Sequence, residues 1–86
     1  MSIVFHDDAW DDYLYWHGQD RQTLKRLNKL IVECVRSPFS GTGKPEPLRG
    51  EFSGWWSRRI DEEHRLVYRM DEGNLVIAQC RYHYGR

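Results

Sequence analysis

An α+β domain is predicted for this 86-residue chain, with two N-terminal helices packed on one face of a mainly antiparallel sheet of four to five strands. Three observations predict it. Leu24, Leu27, Leu30/Ile31 and Cys34/Val35 recur at helical spacing, with Lys25, Arg26, Lys29 and Arg36 off the stripe. Residues 37–47, Ser-Pro-Phe-Ser-Gly-Thr-Gly-Lys-Pro-Glu-Pro, then replace that pattern with turn formers. Beyond them the chain alternates like a sheet and turns at Asp71-Glu72-Gly73-Asn74. Helices first and hairpin strands afterwards segregate the helices to one side.

Taken in order, Ser2-Ile3-Val4-Phe5 is a short β-prone run. Asp7 or Asp8 is the expected cap of a first helix carrying Trp10, Tyr13, Leu14 and His17 at helical spacing. Gly18 is read as its interruption and Asp20 as the cap of the second helix, which Pro38 ends. A break this tight predicts an antiparallel helix pair. Strands are expected at Trp55–Asp61, Arg65–Met70 and Leu75–Tyr82, with one more at Pro47–Gly50. Residues 1–86 form one domain, since no repeat, linker or low-complexity segment divides them.

No window approaches the roughly 20 apolar residues of a membrane span, and no basic-then-apolar leader opens the chain. A soluble cytoplasmic protein is expected. Cys34 and Cys80 lack CxxC spacing and read as buried free thiols. Thirteen basic and thirteen acidic side chains cancel, but they are segregated. Residues 1–20 hold five Asp and no Lys or Arg, whereas residues 21–50 hold seven Lys/Arg against two Glu. Such a chain can present one acidic and one basic face, so its neutrality does not exclude RNA.

His6, His17, His64 and His83 make no metal-ligand spacing with the cysteines. There is no GxGxxG, and Gly41-Thr42-Gly43-Lys44 lacks the rest of a phosphate loop. The residues that carry chemistry are a carboxylate, several arginines and a histidine. Glu46 stands between Pro45 and Pro47, which hold its backbone extended. It is either an exposed loop residue or a carboxylate aimed across the sheet from a stiff arm. Strand alternation puts Arg65, Val67 and Arg69 on one face and Leu66, Tyr68 and Met70 on the other. For Arg58, Arg59 and Arg65 the bland reading is a solvated sheet face; for Trp55-Trp56 it is core and rim packing. The tail Cys80-Arg81-Tyr82-His83-Tyr84 sets a proton-transfer group between flat rings suited to stacking on bases. Its bland reading is a solvated terminus.

Residues Trp10–Trp16 (Trp-Asp-Asp-Tyr-Leu-Tyr-Trp), Gly43–Leu48, Trp56–Ile60, Glu62–Tyr68 and Cys80–Tyr84 together resemble the YoeB family of bacterial toxins, which are RelE-type, ribosome-dependent messenger-RNA endonucleases. The likeness runs from Trp10 to Tyr84. It implies a RelE-like fold, a YefM-type antitoxin, and cleavage of mRNA in the ribosomal decoding site. It also implies operator DNA reached only through the antitoxin, with co-repression of the toxin's own operon, and leaves a homodimer open. Carried over by motif, the general base matches Glu46, the general acid His83 and the phosphate-binding arginine Arg65. Arg59 and Tyr84 assist, and Lys44 is a further candidate. Two features depart from the family: Gly85-Arg86 follow the tyrosine at which members commonly stop, and the overall charge is neutral rather than basic.

These residue types suit RNA cleavage without a cofactor or metal. Glu46 takes the 2′-hydroxyl proton if partial burial raises its pKa, His83 protonates the departing 5′-oxygen, and Arg65 with Arg59 holds the phosphate charge. Two rival readings stand beside it. Toxins of the same small fold bind DNA gyrase, and a silent regulator of an antitoxin would need no chemistry at all.

Overall fold

The chain folds, in a computed structural model that describes residues 1–84, into two helices laid on one five-stranded sheet. The Gly85-Arg86 extension lies outside the described residues. In chain order the elements are β1 (Ile3–Phe5), α1 (Asp7–Gln19), α2 (Arg21–Arg36), β2 (Glu46–Pro47), β3 (Trp56–Arg59), β4 (Arg65–Asp71) and β5 (Asn74–Gln79). The sheet order is β1-β5-β4-β3-β2, antiparallel except where β1 pairs parallel with β5. The predicted fold class holds, and several boundaries move. The strand expected at Pro47–Gly50 is instead the two residues Glu46–Pro47, followed by a single 3-10 turn at Gly50–Phe52.

Gly18 does not interrupt α1, which runs through Gln19. The break falls at Asp20, whose backbone is extended and whose carboxylate accepts the Thr23 amide at 3.1 Å and its hydroxyl at 2.8 Å. Those two bonds hold the Asp20 carboxyl below its ordinary pKa. His6, not Asp7 or Asp8, occupies the cap position of α1; the two aspartates lie in its first turn, where they complement the helix dipole. Tyr13 donates to Asn28 at 2.9 Å and ties the helices together.

The α2 stripe is buried as its spacing predicts, with Leu24, Leu27, Leu30, Ile31 and Cys34 packed against Leu66, Tyr68, Leu75 and Ile77 of the sheet. Each such aliphatic side chain contributes about 1.5–3 kcal/mol on burial. The α1 face differs from expectation: Ala9, Asp12 and Trp16 point inward, while Trp10 and Leu14 remain 47% exposed. Its inward face contains an aspartate, which no hydrophobic pattern selects. Along β4, Leu66 and Tyr68 enter the core with Met70 packed beside them, as the alternation predicts. Val67 pairs with Gln79 but Tyr68 with Ile77, so Ala78 is one extra residue in β5. This bulge switches the strand's alternation. Ile77 and Cys80 both face the core, and Gln79 faces the other side.

Arg58 overturns the expectation of a solvated sheet arginine: its side chain is fully buried at the C-terminal end of α2. Its Nε donates to the Tyr68 hydroxyl at 3.1 Å, Nη1 to Glu33 and the Thr42 carbonyl, and Nη2 to the Ser37 and Ser40 carbonyls. Tyr68 in turn donates to the Pro38 carbonyl at 2.6 Å. Burial alone would lower the guanidinium pKa; the Tyr68 hydrogen bond and the Glu33 carboxylate raise it instead. Burial pushes the Tyr68 phenol up to about 12 and the Cys34 thiol up to about 11, so both stay protonated at neutral pH. The loop over residues 37–42 is therefore lashed to the sheet by one cation.

Arg58→Met should leave the Ser37, Ser40 and Thr42 carbonyls without the guanidinium that binds them, leave Glu33 with the Thr42 amide but no cation, and destabilise the domain by about 3–5 kcal/mol. At this size that lowers Tm by more than about 10 °C. A thermal melt checks it, and a Tm within a few degrees of wild type would reduce Arg58 to a packing residue.

Both cysteines are buried. No helix among the described residues is long and apolar enough to cross a membrane.

Candidate active site

The face of the sheet away from the helices carries the predicted residues in two rows. Cα pairing places Glu46 opposite Ser57, Ser57 opposite Val67, and Val67 opposite Gln79. Directly opposed residues share a face, so these four form one row from β2 to β5. Three strand spacings separate its ends, roughly 14 Å between backbones. Two residues further along β3 and back along β4, Arg59 stands opposite Arg65 on the same face. Ser57 and Val67 are buried and form the floor.

Glu46 enters this face on β2, the short edge strand. The loop before it approaches β3 closely at Gly43, whose carbonyl accepts the Arg59 amide at 2.7 Å. A Cβ on Gly43 would lie 3.1 Å from the Arg59 carbonyl oxygen and 3.2 Å from the Leu30 side chain, and its φ is +87°. Glycine is required there. Lys44 follows in the left-handed region and is exposed. Glu46 is exposed as well. The partial burial expected for its carboxylate is thus not supplied by this chain on its own.

Arg65 is only 7% exposed, and its Nη1 donates to the carbonyls of Asp61, Glu62 and His64 at 2.8–3.1 Å. Among the described residues its Nε and Nη2 donate to nothing. That edge of the guanidinium is the one that grips a phosphate in bidentate fashion. Two like charges directly opposite on adjacent strands repel, and here Arg59 and Arg65 are so placed. An anion between them relieves the repulsion. Arg65→Lys should weaken the hold on a phosphate at least about tenfold, since one ammonium cannot hold three carbonyls and a phosphate edge together. Equal binding of a phosphate-bearing ligand by variant and wild type would return Arg65 to a turn-capping role alone.

The tail is no solvated terminus. The Cys80 amide donates to Asp12 at 3.0 Å, and the Cys80 carbonyl accepts the Trp16 indole at 2.7 Å. Arg81 lies with its guanidinium carbon 3.4 Å from the ring centre of Tyr15. The Tyr82 amide donates to Nδ1 of His64 at 2.7 Å, and its carbonyl accepts the Arg65 amide at 2.9 Å. Gln79, turned to this face by the bulge, donates to the carbonyls of Arg81 and His83 at 2.9 and 2.8 Å. His83 is exposed, with the half-buried Tyr84 ring 4.1 Å away between centroids and Phe52 edge-on to Tyr84 at 6.3 Å. Glu46 thus rises from one end of the row and His83 is held over the other, with Arg59 and Arg65 on the same face.

Comparison with known proteins bears on what this face belongs to. A family profile described as the YoeB-like toxin of bacterial type II toxin–antitoxin systems matches residues 5–84. The chain belongs to the YoeB toxin family. It is 54% identical to toxin YoeB of Escherichia coli K12 over 84 residues, covering 98% of this chain and all of that one. A YoeB/ParE toxin from Agrobacterium tumefaciens superposes with a TM-score of 0.94 at 48% identity, covering 98% of this chain and 100% of the other. Staphylococcus aureus YoeB superposes at 0.89 (42% identity, 95% of each chain) in a heterotetrameric complex with YefM, and at 0.90 (41%, 98% of each) as a YoeB dimer.

Seen in this YoeB-family chain, the motifs divide by task. Glu46, Arg59, Arg65, His83 and Tyr84 share one face, while Lys44 lies in the loop that leads into β2. Residues Asp12, Tyr15 and Trp16, from the motif that covers residues 10–16, hold the first two residues of the tail. His64 and Gln79 hold the rest. These holders were not singled out from sequence. For Asp12 the available signal was an acidic residue on the buried side of a helix, visible only once that side is known. Trp55 lies half-buried on the site face, where Arg69 covers it at 4.7 Å; Trp56 packs on the core, with Phe39 4.8 Å away.

Proposed function

We propose that this YoeB-family toxin is an endoribonuclease that cuts messenger RNA on the ribosome by attack of the 2′-hydroxyl. The observation that carries the reading is one face holding a carboxylate and an imidazole at opposite ends, with two directly opposed, like-charged arginines beside them. Glu46 takes the proton from O2′, which attacks the adjacent phosphorus. The bond to O5′ breaks as His83 delivers a proton to it. The Nε–Nη2 edge of Arg65, with Arg59, takes up the charge that grows on the non-bridging oxygens. Tyr84 offers its ring to a neighbouring base, and Lys44 adds positive charge near the carboxylate.

Acid–base groups contribute about 10²–10⁴ each, so the substrate must also be held in line for attack. Glu46 and His83 are both exposed, so beyond the phosphate grip of Arg65 and Arg59 free RNA meets little that would hold it in line. The decoding site supplies that restraint and closes over Glu46. Incubation with translating ribosomes, followed by mapping of RNA ends, tests the reading. Fragments should end in 2′,3′-cyclic phosphate and begin with 5′-hydroxyl. Uncut message in the presence of folded protein would reject it.

The natural antagonist in this reading is a YefM-type antitoxin, as in the S. aureus complex, and repression of the shared operon runs through that partner's contact with DNA. The charge of α2 supports it. Arg21, Lys25, Lys29 and Arg36, against one carboxylate at Glu33, share a face of α2 with Val32, a solvent-facing aliphatic that is 60% exposed. An acidic amphipathic segment that folds on binding fits such a surface. Affinity capture from the native host should recover a small acidic protein. Recovery of none, with the tagged toxin soluble, would count against a dedicated antitoxin.

A further inference from the structure

His64 lies at the β3–β4 turn, outside the residues that touch RNA in the reading above. Its side chain is 13% exposed, and its ring meets Trp16 edge-on at 4.8 Å. Nδ1 accepts the Tyr82 amide at 2.7 Å, and Nε2 stands 3.5 Å from a Glu63 carboxylate oxygen. Tyr82 has φ +65°, a left-handed conformation costing a non-glycine residue on the order of 1 kcal/mol or more. Something must hold it there. The backbone amide and carbonyl of Tyr82 are both engaged by consecutive residues, His64 through its ring and Arg65 through its amide. The turn at Tyr82 decides where His83 and Tyr84 emerge.

We propose that His64 is a positioning residue, whose Nδ1 fixes the left-handed turn at Tyr82 and so aims His83 and Tyr84 at the sheet face. This rests on the endonuclease reading. Accepting an N–H requires a lone pair on Nδ1, which an imidazolium lacks. In the assembled site His64 is therefore the neutral tautomer with its proton on Nε2, beside Glu63. Two histidines thus divide the work. The clamped one holds the backbone, and the exposed one, His83, is left to face the substrate.

A crossed pair of variants separates the acceptor from the packing. His64→Phe keeps a ring against Trp16 and removes the acceptor. His64→Asn loses the ring but places Oδ1 where Nδ1 stood. With ribosome-bound message, His64→Phe should cut about 10²-fold more slowly in single turnover, as expected for a misplaced acid, with ribosome affinity unchanged. His64→Asn should stay within about threefold of wild type, since the hydrogen bond that sets the geometry is retained. A Phe variant as fast as wild type, or two variants equally slow, would overturn the assignment. Nitrogen NMR on the wild-type toxin gives a readout independent of variant folding. Nδ1 of His64 should be the unprotonated, hydrogen-bonded nitrogen, and a proton found on it overturns the clamp. Should wild type itself leave message uncut, the endonuclease reading fails by itself, while the NMR result still decides the clamp.

Discussion

A message carrying a single 2′-deoxy nucleotide immediately 5′ of the cut is expected to bind the ribosome–toxin complex normally and remain whole. The substitution removes one oxygen, the attacking atom, and leaves the phosphate, the bases and the ribosomal contacts in place. Arg65 and Arg59 still meet the same anion, so affinity should change little. Cleavage should fall to background. Primer extension across the site and a parallel binding measurement give both answers from one substrate. Normal cutting of the deoxy message, or products bearing 5′-phosphate, would falsify attack by O2′ and with it the roles of Glu46 and His83.

The second large effect concerns those two groups directly. Glu46→Ala and His83→Gln should each slow single-turnover cleavage by about 10²–10⁴ while the fold stays intact. Neither side chain is core, and the backbone bonds that hold the tail come from Asp12, Trp16, His64 and Gln79. Melting temperatures near wild type are the control. The double variant should lose less than the product of the two single effects, because base and acid act in one transition state. Full toxicity of both folded single variants would mean that other groups move the protons.

The architecture was largely legible because its signals were local and redundant. A five-position apolar stripe, a proline stop and a Gly-Asn turn each specify an element without reference to the rest. The α1 face was misread because its inward positions are filled by a small residue, an aspartate and a tryptophan, whose burial is decided by what lies opposite. Asp12 is buried to receive Cys80, 68 residues away. Arg58 looked like a surface cation for the same reason: its partners are loop carbonyls, which carry no side-chain signature. The candidate site residues were proposed through resemblance combined with chemistry. Register then showed why Arg59 and Arg65 belong together, since opposition across two strands cannot be read from a linear string.

The extra residue Ala78 makes the exit side of the tail depend on an irregularity that no residue type encodes. Were β5 to run on as a regular ladder past Ile77, with Ala78 itself opposite Val67, each later residue would move to the other side. The Gln79 amide would then enter the apolar layer, the Cys80 thiol would leave it, and Asp12 would lose the amide it receives. Deleting Ala78 has the reverse character: Gln79 would follow Ile77 directly, still opposite Val67, and every later residue would keep its side. A shortened last strand should therefore be tolerated far better than one of full length that has lost its bulge.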